Sequence, residues 1–147
     1  MRDLPRKLTV DELAELFEGR TRLVELLAER DDPLGRGVDE VLPTIGHEDK
    51  AAALNAHPAI GRRAGLSARS AAEQGADAHP AVLDELARLN TAYEDRFGFR
   101  FVVFVNRRSK AEILDVLRTR IDNTPVEELE TGCRELVAIA RDRWIRT

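Results

Sequence analysis

The chain has 147 residues, 43% apolar and 34% charged, enough for one domain to bury a core without disulfide or metal staples. Its single cysteine excludes an internal disulfide and a cysteine-based zinc site, and its three histidines are widely spaced. A net charge of −4 argues against non-specific nucleic-acid binding, which needs an excess of lysine and arginine.

The N-terminus has no continuous apolar run of the signal-peptide kind, and no stretch approaches the roughly 20 apolar residues of a membrane span. The expectation is therefore a soluble, reduced, cytoplasmic chain with neither nucleic acid nor membrane as partner. Thr9 and Glu12 have the spacing of a capping box, Leu13, Leu16 and Phe17 form an apolar stripe behind it, and Gly19 is placed to end that helix. Thr21 opens a second helix with Leu23, Leu26 and Leu27 inward. Asp31–Gly37 is a loop by its turn chemistry, followed by a short helix near Val38–Leu42 that Pro43 interrupts. A helix from about His47 to Asn55 should stop at His57, because the residue before a proline disfavours the α conformation.

Ser67 is placed to cap a short helix through Gln74. Pro80 suits the first turn of a long helix running to about Arg96 and ended by Gly98. Ser109 and Glu112 repeat the capping-box spacing and open a helix to Ile121, and Thr124-Pro125-Val126-Glu127 opens the last one, through about Trp144. Between these helices Phe99–Val105 is aromatic and β-branched and reads locally as a strand, but no second strand is found to pair with it. The expected fold is all-α: a single compact multi-helix domain over residues 1–147 with one buried extended segment near residues 99–105. Four of the seven aromatic residues (Phe97, Phe99, Phe101, Phe104) fall in or beside that segment. Its buried backbone N–H and C=O groups need partners, and a bound polar ligand can be one.

Three sets of side chains have chemical potential. His57, pinned by Pro58 at a helix end, is either a structural histidine or a proton carrier near neutral pH. Ser70, Glu73 and Gln74 share one helical face, which is either solvated or able to bind a polar planar ligand. Arg143 either complements the dipole of the last helix or clamps a carboxylate or urea carbonyl with its fork of donors. Cys133 reads as a small core filler and His79-Pro80 as the opening of a helix.

In chain order, His57-Pro58-Ala59-Ile60-Gly61, Ser70-Ala71-Ala72-Glu73-Gln74 and Leu89 through Phe101 resemble the OHCU decarboxylase family, where OHCU is 2-oxo-4-hydroxy-4-carboxy-5-ureidoimidazoline. The resemblance continues through Arg108–Leu114, Arg120, Asn123, Glu128-Leu129 and Ile139–Arg143. It implies a cofactor-free, metal-free, all-helical enzyme of urate breakdown, commonly homodimeric, that converts its small-molecule substrate to (S)-allantoin and CO2. On the matching positions it implies His57 as the catalytic acid/base, with Glu73 also catalytic and paired with Gln74 on the ring and ureido groups. Pro58, Ser70, Phe101, Val102, Val103, Val105 and Arg143 match substrate-binding positions, the segment from Phe101 acting through its backbone. Arg100 stands where the family often has proline, and the region from Glu73 to Pro80 is trimmed; with the sequence ending at Thr147, no fused hydrolase domain is expected. The alternative is a helical ureide-binding or interaction module of the same fold without turnover.

Overall fold

In the computed structural model, residues 3–58 and 79–146 are described, and they form seven α-helices and one 3-10 turn, with no strand among them. The helices are α1 (Val10–Phe17), α2 (Arg22–Ala28), α3 (Arg36–Val41), α4 (His47–Ala56), α5 (Pro80–Phe97), α6 (Lys110–Arg120) and α7 (Pro125–Arg146), with the 3-10 turn at Leu42–Thr44 holding Pro43. The helix expected from Ser67 to Gln74 lies outside the described residues.

The boundaries follow from local chemistry. Thr9, Ser109 and Thr124 each accept from the backbone N–H three residues on, at 3.1, 3.2 and 3.2 Å, while the glutamates there reach back to the caps. Each box satisfies two N–H groups that the helix cannot. Gly98 ends α5 with φ +79°, the left-handed conformation that a Cβ disfavours.

Four expectations shift. Glu18, not Gly19, takes the left-handed turn that ends α1, with φ 59°. Gly19 serves close approach instead: a Cβ there would sit 2.7 Å from that of Ala56 at the end of α4. In α2 the buried set is Leu23, Val24 and Leu27, with Leu26 only partly covered. The helix before Pro43 begins earlier, at Arg36, and α6 closes at Arg120 with Ile121 as its cap.

The core is one continuous apolar cluster. Its spine is α7, whose buried residues include Leu129, Cys133, Leu136, Val137 and Ala140, the three-and-four spacing of a wide inward stripe. Helix α7 packs on α1 and α4, α2 joins α1, α3 and α4, and α5 pairs with α6. Cys133 is fully buried on α7, and burial pushes its thiol up to about 12.

The stretch after Gly98 is extended and buried, as expected. Phe99, Phe101, Val102, Val103 and Val105 are all in the core. Phe99 and Phe101 pack with Tyr93 and Phe97 of α5, with edge-on contact between the Tyr93 and Phe101 rings at 5.3 Å. With no strand among the described residues to pair with, its backbone is paired by side chains. Asn55 accepts from the Arg100 N–H at 2.9 Å, Glu135 accepts from the Phe104 N–H at 3.3 Å, and Arg108 donates to the carbonyls of Phe104 and Val105 at 2.6 and 3.1 Å.

Candidate functional site

His57 caps α4. Its ψ of 141° takes the chain out of the helix ahead of Pro58, and its N–H still bonds the Leu54 carbonyl at 3.2 Å. The side chain turns inward and is 9% exposed, too little for water to solvate an imidazolium. Burial is the main reason its pKa falls to about 4; the Arg143 guanidinium pushes the same way, Glu18 opposes, and Arg100 adds a smaller push downward. His57 is therefore neutral at pH 7. Its Nδ1 is buried and has no hydrogen-bond partner among the described residues.

Arg143 comes from the far end of α7 and is buried. It donates from Nη1 to the Leu16 carbonyl at 2.8 Å, the last turn of α1, and Nη2 lies 3.8 Å from Glu18 Oε1. Glu18 Oε2 lies 3.8 Å from His57 Nδ1. One carboxylate therefore joins the two best-placed residues of the sequence reading, although 86 positions separate them in the chain.

The extended segment reaches the same place. The Arg100 guanidinium donates to the His57 carbonyl at 2.8 Å and faces Glu94 at 3.7 Å, while its backbone N–H is held by Asn55. A proline at this position has neither donor. Arg100 thus replaces a ring constraint with two hydrogen bonds tying the segment to the end of α4.

Behind the segment lies a buried polar network. Glu128 is 0% exposed; its Oε1 accepts from Tyr93 Oη at 2.7 Å and Arg120 Nε at 2.9 Å, and its Oε2 accepts from Asn123 Nδ2 at 2.9 Å. Arg120 donates from Nη1 to the Val102 carbonyl at 2.6 Å and lies 4.6 Å over the Phe101 ring. Burial and the Glu128 carboxylate hold the Tyr93 hydroxyl far above its usual range, so it stays a donor. The carbonyl of Val102 is fixed by a cation that is itself fixed.

His57, Arg143 and the segment from Phe101 through Val102 and Val103 to Val105 are thus tied into one polar and apolar framework. Pro58 is half-buried beside it. Ser70, Glu73 and Gln74 lie outside the described residues. Among the described residues no group of three or more His, Cys, Asp and Glu is placed to hold a metal ion, and no helix is long and apolar enough to cross a membrane.

Glu18 escaped the reading of individual residues and sits in no local pattern that marks it, while Arg100 was marked only as a departure from the family's proline. Arg120 and Glu128 had a signal: each is a charge on the inward stripe of an amphipathic helix, where a charge survives only if paired.

The depressed His57 gives a pH prediction. Above pH 6.5 the imidazole binds no proton in either state. Between 6.5 and about 4 the unfolded chain is protonated there and the folded chain is not, so folding stability falls with pH. The loss reaches about 3 kcal/mol by pH 4. Urea unfolding of wild type and His57→Asn across this range measures it; the difference between their pH slopes is the His57 contribution.

The chain resembles known proteins along most of its length. The family model for OHCU decarboxylase matches residues 2–144. The uric acid degradation bifunctional protein TTL of Arabidopsis thaliana is 35% identical over 103 residues, 64% of this chain and 32% of that protein. The 2-oxo-4-hydroxy-4-carboxy-5-ureidoimidazoline decarboxylase of Halalkalicoccus jeotgali is 30% identical over 113 residues, 74% of this chain and 64% of that one. The chain thus spans less than two thirds of either relative. The Haloferax volcanii protein of the same name is 31% identical over 120 residues, 76% of this chain and 69% of that one. A crystal structure of OHCU decarboxylase in the presence of (S)-allantoin superposes with a TM-score of 0.73 at 25% identity, covering 90% of this chain and 94% of that one. The family match from residue 2 to 144, joined to the shared helical fold, establishes that this chain belongs to the OHCU decarboxylase family.

Proposed function

We propose that this chain decarboxylates 2-oxo-4-hydroxy-4-carboxy-5-ureidoimidazoline to (S)-allantoin in urate degradation, without a cofactor, with His57 as acid/base. The observation that carries the reading is a buried, neutral His57 beside a buried Arg143 in a chain of this family.

The substrate's own ring is the electron sink. When the bond between C4 and the carboxylate breaks, CO2 leaves and the electron pair moves toward the adjacent C5=N bond, placing charge on nitrogen. One solvent proton neutralises that nitrogen. The 4-hydroxyl must then lose its proton as C4 becomes a carbonyl, and C5 must gain one. A neutral imidazole suits both steps, taking a proton from oxygen and returning it to C5 on one face, which sets the S configuration. A standing imidazolium could not begin by accepting one.

The remaining residues orient and stabilise. Arg143 pairs with the substrate carboxylate or ureido carbonyl. Backbone groups from Phe101, Val102, Val103 and Val105 bind the ring, steadied by Arg120, and Pro58 contributes to substrate binding beside His57. Ser70, Glu73 and Gln74 hold the ring and ureido groups, with Glu73 taking part in the proton transfer. The family resemblance further supports a single domain over residues 1–147, a homodimer and a cytoplasmic location; light scattering tests the dimer.

Urate, uricase and hydroxyisourate hydrolase generate the substrate in situ, and circular dichroism follows the chirality of the product. The expected result is optically active allantoin forming faster with the protein than without it. An unchanged rate overturns the proposal and favours the ureide-binding module.

A further inference from the structure

We propose that Glu18 is the positioning residue of the site: its carboxylate orients the His57 ring and the Arg143 guanidinium together, selecting the imidazole tautomer that leaves Nε2 bare toward the substrate. The inference deepens the decarboxylase reading and rests on it for its catalytic consequence.

Two observations carry it. The carboxylate spans both partners, with Oε2 3.8 Å from His57 Nδ1 and Oε1 3.8 Å from Arg143 Nη2. Nδ1 is buried without a hydrogen-bond partner among the described residues, and the Glu18 carboxylate is an acceptor close to it. An approach of about 1 Å completes an Nδ1–H to carboxylate bond. A neutral imidazole that donates from Nδ1 has its lone pair on Nε2, the form that accepts a proton.

The backbone brings Glu18 there at a cost. It is a non-glycine residue in the left-handed region, with φ 59° and ψ 32°. Next to it, Gly19 lets the end of α1 rest against Ala56, one residue before His57. On the other side Arg143 grips the Leu16 carbonyl. The terminal turn of α1 is thus fastened at both flanks with the carboxylate between the two site residues. A glycine at 18 and a larger residue at 19 is the ordinary way to end such a helix; the reverse order here puts a carboxylate in the turn.

Among the described residues, the charged groups facing His57 are Glu18 from α1, Arg143 from α7 and Arg100 from the extended segment. Glu18 alone among them favours the protonated ring, so its removal lowers the His57 pKa below its present value of about 4. Nitrogen-15 NMR of the unliganded protein reads both the tautomer and the titration of His57, independently of turnover.

Glu18→Gln keeps the shape and removes the charge; Glu18→Asp is the fallback should the glutamine variant fold poorly. The expected result for Glu18→Gln is loss of the Nδ1–H preference, a downward His57 titration, and a kcat lower by roughly 10- to 100-fold with little change in KM. Glu18→Asp should recover part of the tautomer preference. An unchanged tautomer and titration in a folded Glu18→Gln protein overturns the proposal, whatever happens to its melting temperature. A wild-type protein that makes no allantoin overturns the decarboxylase reading instead, while the NMR comparison still decides the role of Glu18.

Discussion

His57→Ala is expected to lower kcat for the proposed formation of allantoin by roughly 10²–10⁴-fold, the usual worth of a positioned acid/base group, and to leave the helical circular dichroism signal intact. The two halves of this expectation have separate physical grounds. The fold uses the backbone of His57, whose N–H bonds Leu54 and whose carbonyl accepts from Arg100. Neither bond needs the ring. In the proposed mechanism the chemistry uses the ring, and no other histidine can substitute. His47 sits in the first turn of α4, against Phe99, and His79 is occupied in capping α5. The wild-type rate should hold from neutral pH downward and fall only as pH drops through about 4, where the imidazole gains its proton. A catalytic imidazolium would give the opposite limb, with activity rising as pH falls. An unchanged kcat in the alanine variant removes His57 from the chemistry.

Glu128→Ala is the change with the largest expected effect on stability, about 3–5 kcal/mol, which lowers the melting temperature by on the order of 10 °C. The carboxylate is fully buried and accepts from Tyr93, Arg120 and Asn123. Its removal strands a buried guanidinium, a phenol and an amide at once. Adding Arg120→Met to Glu128→Ala removes the stranded charge, so the double variant should lose less than the sum of the singles. It will not return to wild-type stability, because the Val102 carbonyl then lacks the donor that Arg120 supplied at 2.6 Å. Urea unfolding of the four proteins measures the coupling. Strict additivity would mean that the pair does not act as one unit.

Much of the fold was legible because helix ends are written in short range. Thr9 with Glu12, Ser109 with Glu112 and Thr124 with Glu127 are each complete within four residues, and so are His57-Pro58 and Phe97-Gly98. The buried extended segment was legible for a related reason: a run of aromatic and β-branched residues without a pairing partner has few other outcomes. The site was legible in part. His57 stood out beside its proline, but what makes it neutral comes from elsewhere: first its burial in the folded chain, then the charge of Arg143 on α7, with a smaller push from Arg100 on the segment. Glu18 lies 39 positions before His57, and nothing within its own turn says that Gly19 will yield the bend to it and bring the end of α1 onto Ala56. Sequence periodicity reports which face of a helix is buried; it does not report which distant charge waits there.

The lone cysteine makes the protein its own stopwatch. At pH 7 a thiol held near 12 is almost never a thiolate, and Cys133 is sealed inside α7 against α4, so alkylating reagents find nothing to attack while the chain is folded. Each labelling event therefore counts an opening large enough to part the central helix from its neighbours. With the thiol reactivity of the unfolded chain as reference, the labelling rate reads the free energy of that opening under native conditions, with no denaturant and no engineered cysteine.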